Sequence, residues 1–169
     1  SHQDASLPPV PLPLPVVSQP GGMYNAPVTV GLSTTTPGSV IRYTLDGSVP
    51  TETSPVYSSP LSMVSLVGTC TTLSNIVTSS CDEYGPWQPS AGAVFKANIL
   101  RARVFKSGEI PSKTISRTYF IDPAMTTRYS MPVVSLITES DNLFDDEMGI
   151  YVPGNDPGEE NANYYQRGD

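Results

Sequence analysis

The chain has 169 residues, with 9 Lys+Arg against 16 Asp+Glu for a formal charge of −7, and it carries 13 Gly, 18 Pro, 2 Cys and a single His. One core of ordinary size fits that length. The acidic balance and the scatter of the few cations speak against nucleic-acid binding, which needs clustered Lys and Arg, and against a basic membrane-binding patch. The apolar runs, Ile99-Leu100 and Val133-Val134 among them, are far short of a bilayer span, so no membrane insertion is expected. His2, alone and near the start, leaves no Ser/His/Asp or Cys/His group, and one His with two Cys makes zinc a poor fit. No catalytic residue, metal or cofactor is expected of this chain.

Leu7 to Val17 reads Leu-Pro-Pro-Val-Pro-Leu-Pro-Leu-Pro-Val-Val. Prolines remove backbone donors and hold the chain extended, so residues 1–19 read as a stiff proline-rich linker, with a docking ligand for an aromatic groove as the other use of such a segment. No signal sequence is visible at Ser1-His2-Gln3-Asp4, so any targeting peptide is removed or lies elsewhere.

Pro27 to Ile121 is written in strands and turns. Val28-Thr29-Val30-Gly31-Leu32 is followed by the turn cluster Thr36-Pro37-Gly38-Ser39, and Val40-Ile41-Arg42-Tyr43-Thr44-Leu45 by the turn dipeptide Asp46-Gly47. Ile99 to Phe105 alternates apolar and basic residues, Lys106-Ser107-Gly108-Glu109 closes a hairpin, and Ile115 to Ile121 is its partner. Period-two patterning in short strands predicts an all-β sandwich, with a small closed barrel as the alternative. The first helix is expected at Ser140–Gly149, about two turns long, with a capping Ser, early acids and a closing Gly.

Val40–Tyr57, with Tyr43-Thr44-Leu45-Asp46-Gly47-Ser48, Pro50-Thr51 and then Ser54 and Tyr57, resembles the signature of the chitobiase/β-hexosaminidase C-terminal-type domain. Ala102-Arg103-Val104-Phe105 and Arg117-Thr118-Tyr119 are similar to its second half. The resemblance implies an immunoglobulin/fibronectin-III-like sandwich over residues 20–122, and it marks Tyr43, Asp46, Gly47, Pro50 and Tyr57 as signature positions. Residues 67–97, rich in Ser and Thr, depart from the family as an insertion. A second resemblance, from Met131-Pro132-Val133-Val134-Ser135-Leu136-Ile137-Thr138 through Gly149-Ile150-Tyr151-Val152 to Asn163–Gly168, is to the entry segment of CotH-type proteins, spore-coat and surface proteins with an atypical kinase fold. It implies that residues 123–169 begin such a domain with a strand and a short helix. None of that family's ATP- or metal-binding positions falls on this chain.

Within the insertion, Cys70 and Cys81 form the even pair that oxidising compartments produce, and a disulfide there would hold an otherwise loose loop. Two free buried thiols are the alternative. Tyr84 and Trp87, beside Gly85-Pro86, are candidates for a sugar-binding platform or for loop packing over the sandwich end. Asp141, Asp145, Asp146 and Glu147 lack the spacing of a calcium loop and read better as helix-dipole partners. Arg167-Gly168-Asp169 is an adhesion tripeptide too short to carry weight. The sequence therefore describes a non-catalytic accessory sandwich, secreted or at the cell surface, whose partners are a glycan or cell-surface polymer and the rest of its own CotH-like chain. A structural part of an atypical kinase and a plain surface-stalk spacer are the competing roles.

Overall fold

The computed structural model describes residues 10–69, 94–145 and 147–150. Among these residues eight strands follow one another as β1 (Val16–Val17), β2 (Gly22–Tyr24), β3 (Val28–Val30), β4 (Leu32–Ser33), β5 (Val40–Thr44), β6 (Leu61–Met63), β7 (Asn98–Phe105) and β8 (Ile115–Ile121). Two single-turn helices come after them among the described residues, α1 (Met125–Arg128) and α2 (Asp141–Phe144).

The long strands form where period-two patterning is strongest. In β7, Leu100, Ala102 and Val104 are buried on one face while Ile99, Arg101 and Arg103 alternate on the other. β7 pairs antiparallel with β5, Ile41 against Val104 and Tyr43 against Ala102, and with β8, Ala102 against Ile115. β2 runs parallel along the free side of β8, giving the sheet order β2-β8-β7-β5. Beyond β5 the chain returns at Val56, bridged to Arg42, with Tyr57 N–H donating to the Ile41 carbonyl at 2.8 Å.

The opposing layer is built on Val28–Ser33, which is interrupted at Gly31. β3 pairs antiparallel with β6 and β4 with β1. Ser18 fills the break, its N–H donating to the Gly31 carbonyl at 2.9 Å and its Oγ accepting the Gly31 N–H at 2.7 Å. Between the layers lie Val30, Leu32 and Met63 from one side and Ile41, Leu100, Ala102, Val104, Ile115, Tyr119 and Ile121 from the other. The chain is an all-β sandwich of immunoglobulin-like type, as its alternation predicts.

Three local features differ from the expectations above. The proline-rich segment is extended but does not stand clear of the sandwich. Leu12 is in the core, its N–H donates to the Ile110 carbonyl at 3.0 Å, and Val16–Val17 pair as β1. Proline occupies an edge strand without cost when its missing N–H would face away from a partner, and apolar residues between the prolines supply the burial. Among the described residues helix begins earlier than expected, at α1, where Asp122 nucleates a turn by accepting the Ala124 N–H on Oδ1 at 2.8 Å, and Met125 is buried. The helix at Asp141 is one turn rather than two. Ser140 precedes it without a side-chain cap, its Oγ donating instead to Asp141 Oδ1. Met131–Thr138, strand-like in sequence, makes no ladder bonds among the described residues.

Candidate functional site

The signature positions converge at the tip of β5. Thr44 leaves the strand and its Oγ1 donates to the Ser48 carbonyl at 2.5 Å, while Ser48 donates to Asp46 Oδ1 from both N–H (3.0 Å) and Oγ (2.6 Å). These bonds hold the Asp46 carboxyl below its usual pKa, the Ser48 hydroxyl contributing most. Gly47 turns the chain at φ +91°, a backbone conformation that costs a side chain dearly. Pro50 is fully buried behind the turn, and Tyr43 and Tyr57 meet edge to face with centroids 6.5 Å apart. Thr51 and Ser54 close the next loop, Thr51 N–H donating to Ser54 Oγ at 2.9 Å.

The turn does not face open solvent alone. The extended segment after α1 crosses the outer face of the four-stranded sheet, where the Ser135 hydroxyl lies 2.7 Å from that of Thr118 on β8. It ends at Glu139, whose Oε1 accepts the Val49 N–H at 2.9 Å and lies 3.2 Å from the Arg101 guanidinium. Arg101 also donates to the Gly47 carbonyl at 2.6 Å. The segment is thus a strap tied to the signature turn, a relationship with no local sequence signal because its members stand 38 and 90 positions apart.

Two further groupings escaped the sequence reading. Phe95 stacks on Phe120 at 6.2 Å, Tyr129 meets Phe95 edge-on at 6.4 Å, and Arg128 lies 4.0 Å over the Phe95 ring while pairing with Asp122. At the far end of the same face, Arg42 and Arg103 stand opposite each other on β5 and β7. Arg42 donates to the Ser54 carbonyl at 2.5 Å, and Arg103 donates from Nε to the Ser112 carbonyl at 2.8 Å while covering the Phe105 ring. Alternation puts Phe120, Arg42 and Arg103 on an outer face, but it does not say what they touch.

Cys70, Cys81, Tyr84 and Trp87 lie outside the described residues, as do Asp146 and Arg167–Asp169. Of the acidic cluster, Asp145 is engaged with backbone, its Oδ1 accepting the Glu147 and Met148 N–H groups at 2.9 Å each. Among the described residues, no three His, Cys, Asp or Glu side chains gather where a metal ion could be held. No helix among them is long and apolar enough to cross a membrane.

Residues 19–85 match the family model of the chitobiase/beta-hexosaminidase C-terminal domain. The matched stretch contains β2 to β6, the signature turn and both cysteines, and it stops short of β7 and β8. Neither the curated proteins nor the solved structures contain a significant match to the chain.

Proposed function

We propose that the chain is a non-catalytic accessory sandwich of a secreted or cell-surface protein and that it binds carbohydrate. The observation that carries this reading is the match of residues 19–85 to a domain type found with carbohydrate-active proteins. It is supported by the Asp46–Gly47 turn, which is built from buried proline, paired tyrosines and backbone-directed hydrogen bonds and so serves as a rigid frame rather than as reacting groups. Tyr84 and Trp87 are the proposed stacking residues, just after a loop that a Cys70–Cys81 disulfide would close and that suits an oxidising compartment.

The test uses Trp87, the chain's single tryptophan, as its own reporter. Intrinsic fluorescence of the oxidised protein is titrated with soluble chitin and peptidoglycan fragments. A saturable change that Trp87→Ala abolishes is the expected result. A spectrum that no glycan alters defeats the loop as a sugar site.

A second reading, in which residues 123–169 lead into a CotH-like kinase-fold body, is favoured by one observation. Met131, Val134 and Leu136 on the strap are 77, 81 and 89% exposed. Such an apolar row suits a segment that packs against a further domain. In that arrangement the Glu139 tie sets the sandwich at a fixed angle to its neighbour, and the accessory and structural roles coexist. A plain spacer would need neither the row nor the tie.

A further inference from the structure

The turn at residues 36–39 and the hairpin turn at 106–109 stand side by side at one end of the four-stranded sheet, with a groove of about 370 Å³ between them. Arg42, Lys106 and Glu52 line it together with the exposed Val40 and the buried Phe105, and Gly38 and Gly108 belong to its two bounding turns. Both glycines have positive φ, +71° and +76°, and a Cβ at either would meet nothing within 4 Å, so the rims are bare, accessible backbone.

The charge arrangement is the unusual part. Arg42 and Arg103 are cross-strand partners, a placement that costs stability for like charges. Neither makes an ion pair within the described residues, although the chain has 16 acids and a net charge of −7. Their contacts are to backbone carbonyls and, for Arg103, the Phe105 ring, which leave further guanidinium N–H groups available. Among the described residues Lys106 is paired only with Glu109 across its own turn, both half-exposed, the kind of pair that gives way readily to another anion.

We propose that this groove binds an acidic saccharide, with Arg42 and Lys106 on the sugar carboxylate, Glu52 and the bare turn backbone on hydroxyls, and the exposed Val40 against the ring. The mixture of lining groups selects the ligand. A polyphosphate surface would be opposed by Glu52, and a neutral sugar would leave the two cations unanswered, whereas a carboxylate-bearing pyranose has a partner for each. The assignment rests on the carbohydrate reading above and places a ligand outside the cysteine-bearing loop.

The test is a titration of the ¹⁵N-labelled full chain with trigalacturonate, with neutral chitotriose and with inorganic phosphate, followed by amide shifts. Trigalacturonate is expected to move Gly38, Ser107 and Gly108 saturably, and Lys106→Gln and Arg42→Gln each to weaken binding about tenfold. Lys106 makes no contact that the fold depends on, so its variant remains interpretable if Arg42→Gln perturbs the Ser54 loop. Equal shifts with phosphate would reduce the groove to an anion site and overturn the saccharide assignment. Chitotriose acting elsewhere while trigalacturonate is silent would remove the groove and leave the carbohydrate reading standing. A folded spectrum that answers no saccharide would remove both.

Discussion

Glu139 lies 3.2 Å from the Arg101 guanidinium and takes the Val49 N–H on the same oxygen, so a residue beyond β8 fastens β7 to the signature turn. Arg101 is the better buried partner, 13% exposed against 42% for Glu139. Its Nε is enclosed with no hydrogen-bond partner, so the contacts of its terminal nitrogen with Gly47 and Glu139 are what offset its burial.

Removing the carboxylate therefore acts in two places. Glu139→Ala is expected to cost about 1–2 kcal/mol, the range of a charge-assisted hydrogen bond at a half-exposed site, and Glu139→Gln less, because the amide oxygen still accepts the Val49 N–H. Hydrogen exchange at the Val49 amide distinguishes this from a general loss of stability. Val49 should lose protection in the alanine variant under conditions where β7 amides keep theirs, and unchanged protection would mean that the strap contributes nothing to the turn.

Tyr119 gives the fold an alkaline limit. Its ring is fully buried against Tyr24, its hydroxyl donates to the Gln19 carbonyl at 3.0 Å, and burial pushes its pKa up to about 12. The folded value exceeds the unfolded one of about 10, so this contribution is complete below pH 10 and is lost as pH rises from 10 through 12. Denaturant midpoints measured from pH 8 to 11.5 should fall more steeply for the wild type than for Tyr119→Phe. The variant itself should lose about 1 kcal/mol at neutral pH with the Gln19 bond. Parallel pH profiles would show that Tyr119 ionises without unfolding the chain.

Much of the sandwich was legible because β7 and β8 alternate cleanly and the turns between strands use Gly and Asp where positive φ or side-chain bonding is needed. What was not legible has particular causes. Leu12 and Val16–Val17 are hidden by prolines that read as a spacer, since local composition cannot show that a neighbouring strand offers an edge. Met131–Thr138 has the composition of a strand but alternates among two apolar faces and finds no edge, so propensity alone overstates it. α1 is four residues with no periodicity to detect. The Glu139 tie and the Arg42–Arg103 pairing depend on register between distant strands, which one sequence does not specify. Phe105 is buried on a face where alternation predicts exposure, because Arg103 folds over it.

The signature turn should be sensitive at Gly47 and acid-sensitive at Asp46. With φ at +91°, Gly47→Ala is expected to cost about 1–2 kcal/mol for conformation alone, since Thr138 O at 3.7 Å leaves ordinary room for the added carbon. Asp46 is held below its ordinary value of 3.8, so its contribution is present above that pH and fades as pH falls through the folded value. Asp46→Asn should flatten the acid limb of the stability profile without shifting the alkaline one. If both limbs superimpose on the wild type, the Ser48 bonds are not what orders the turn.

Two leucines separate what the sandwich needs for folding from what the strap presents outward. Leu100 has no exposure, lies in β7 and packs in the main core. Leu100→Ala should therefore cost about 2–5 kcal/mol through lost transfer energy and the cavity left behind. Leu136 is 89% exposed, so Leu136→Ser should change stability by no more than about 0.5 kcal/mol. Urea denaturation of the two variants gives the comparison, and solubility supplies the second half of it. An apolar row that serves a partner surface should make the wild type less soluble than Leu136→Ser at equal stability. A Leu136→Ser chain destabilised by 2 kcal/mol or more would mean that the strap is packed in solution, and the exposed row would then belong to the sandwich rather than to a neighbour.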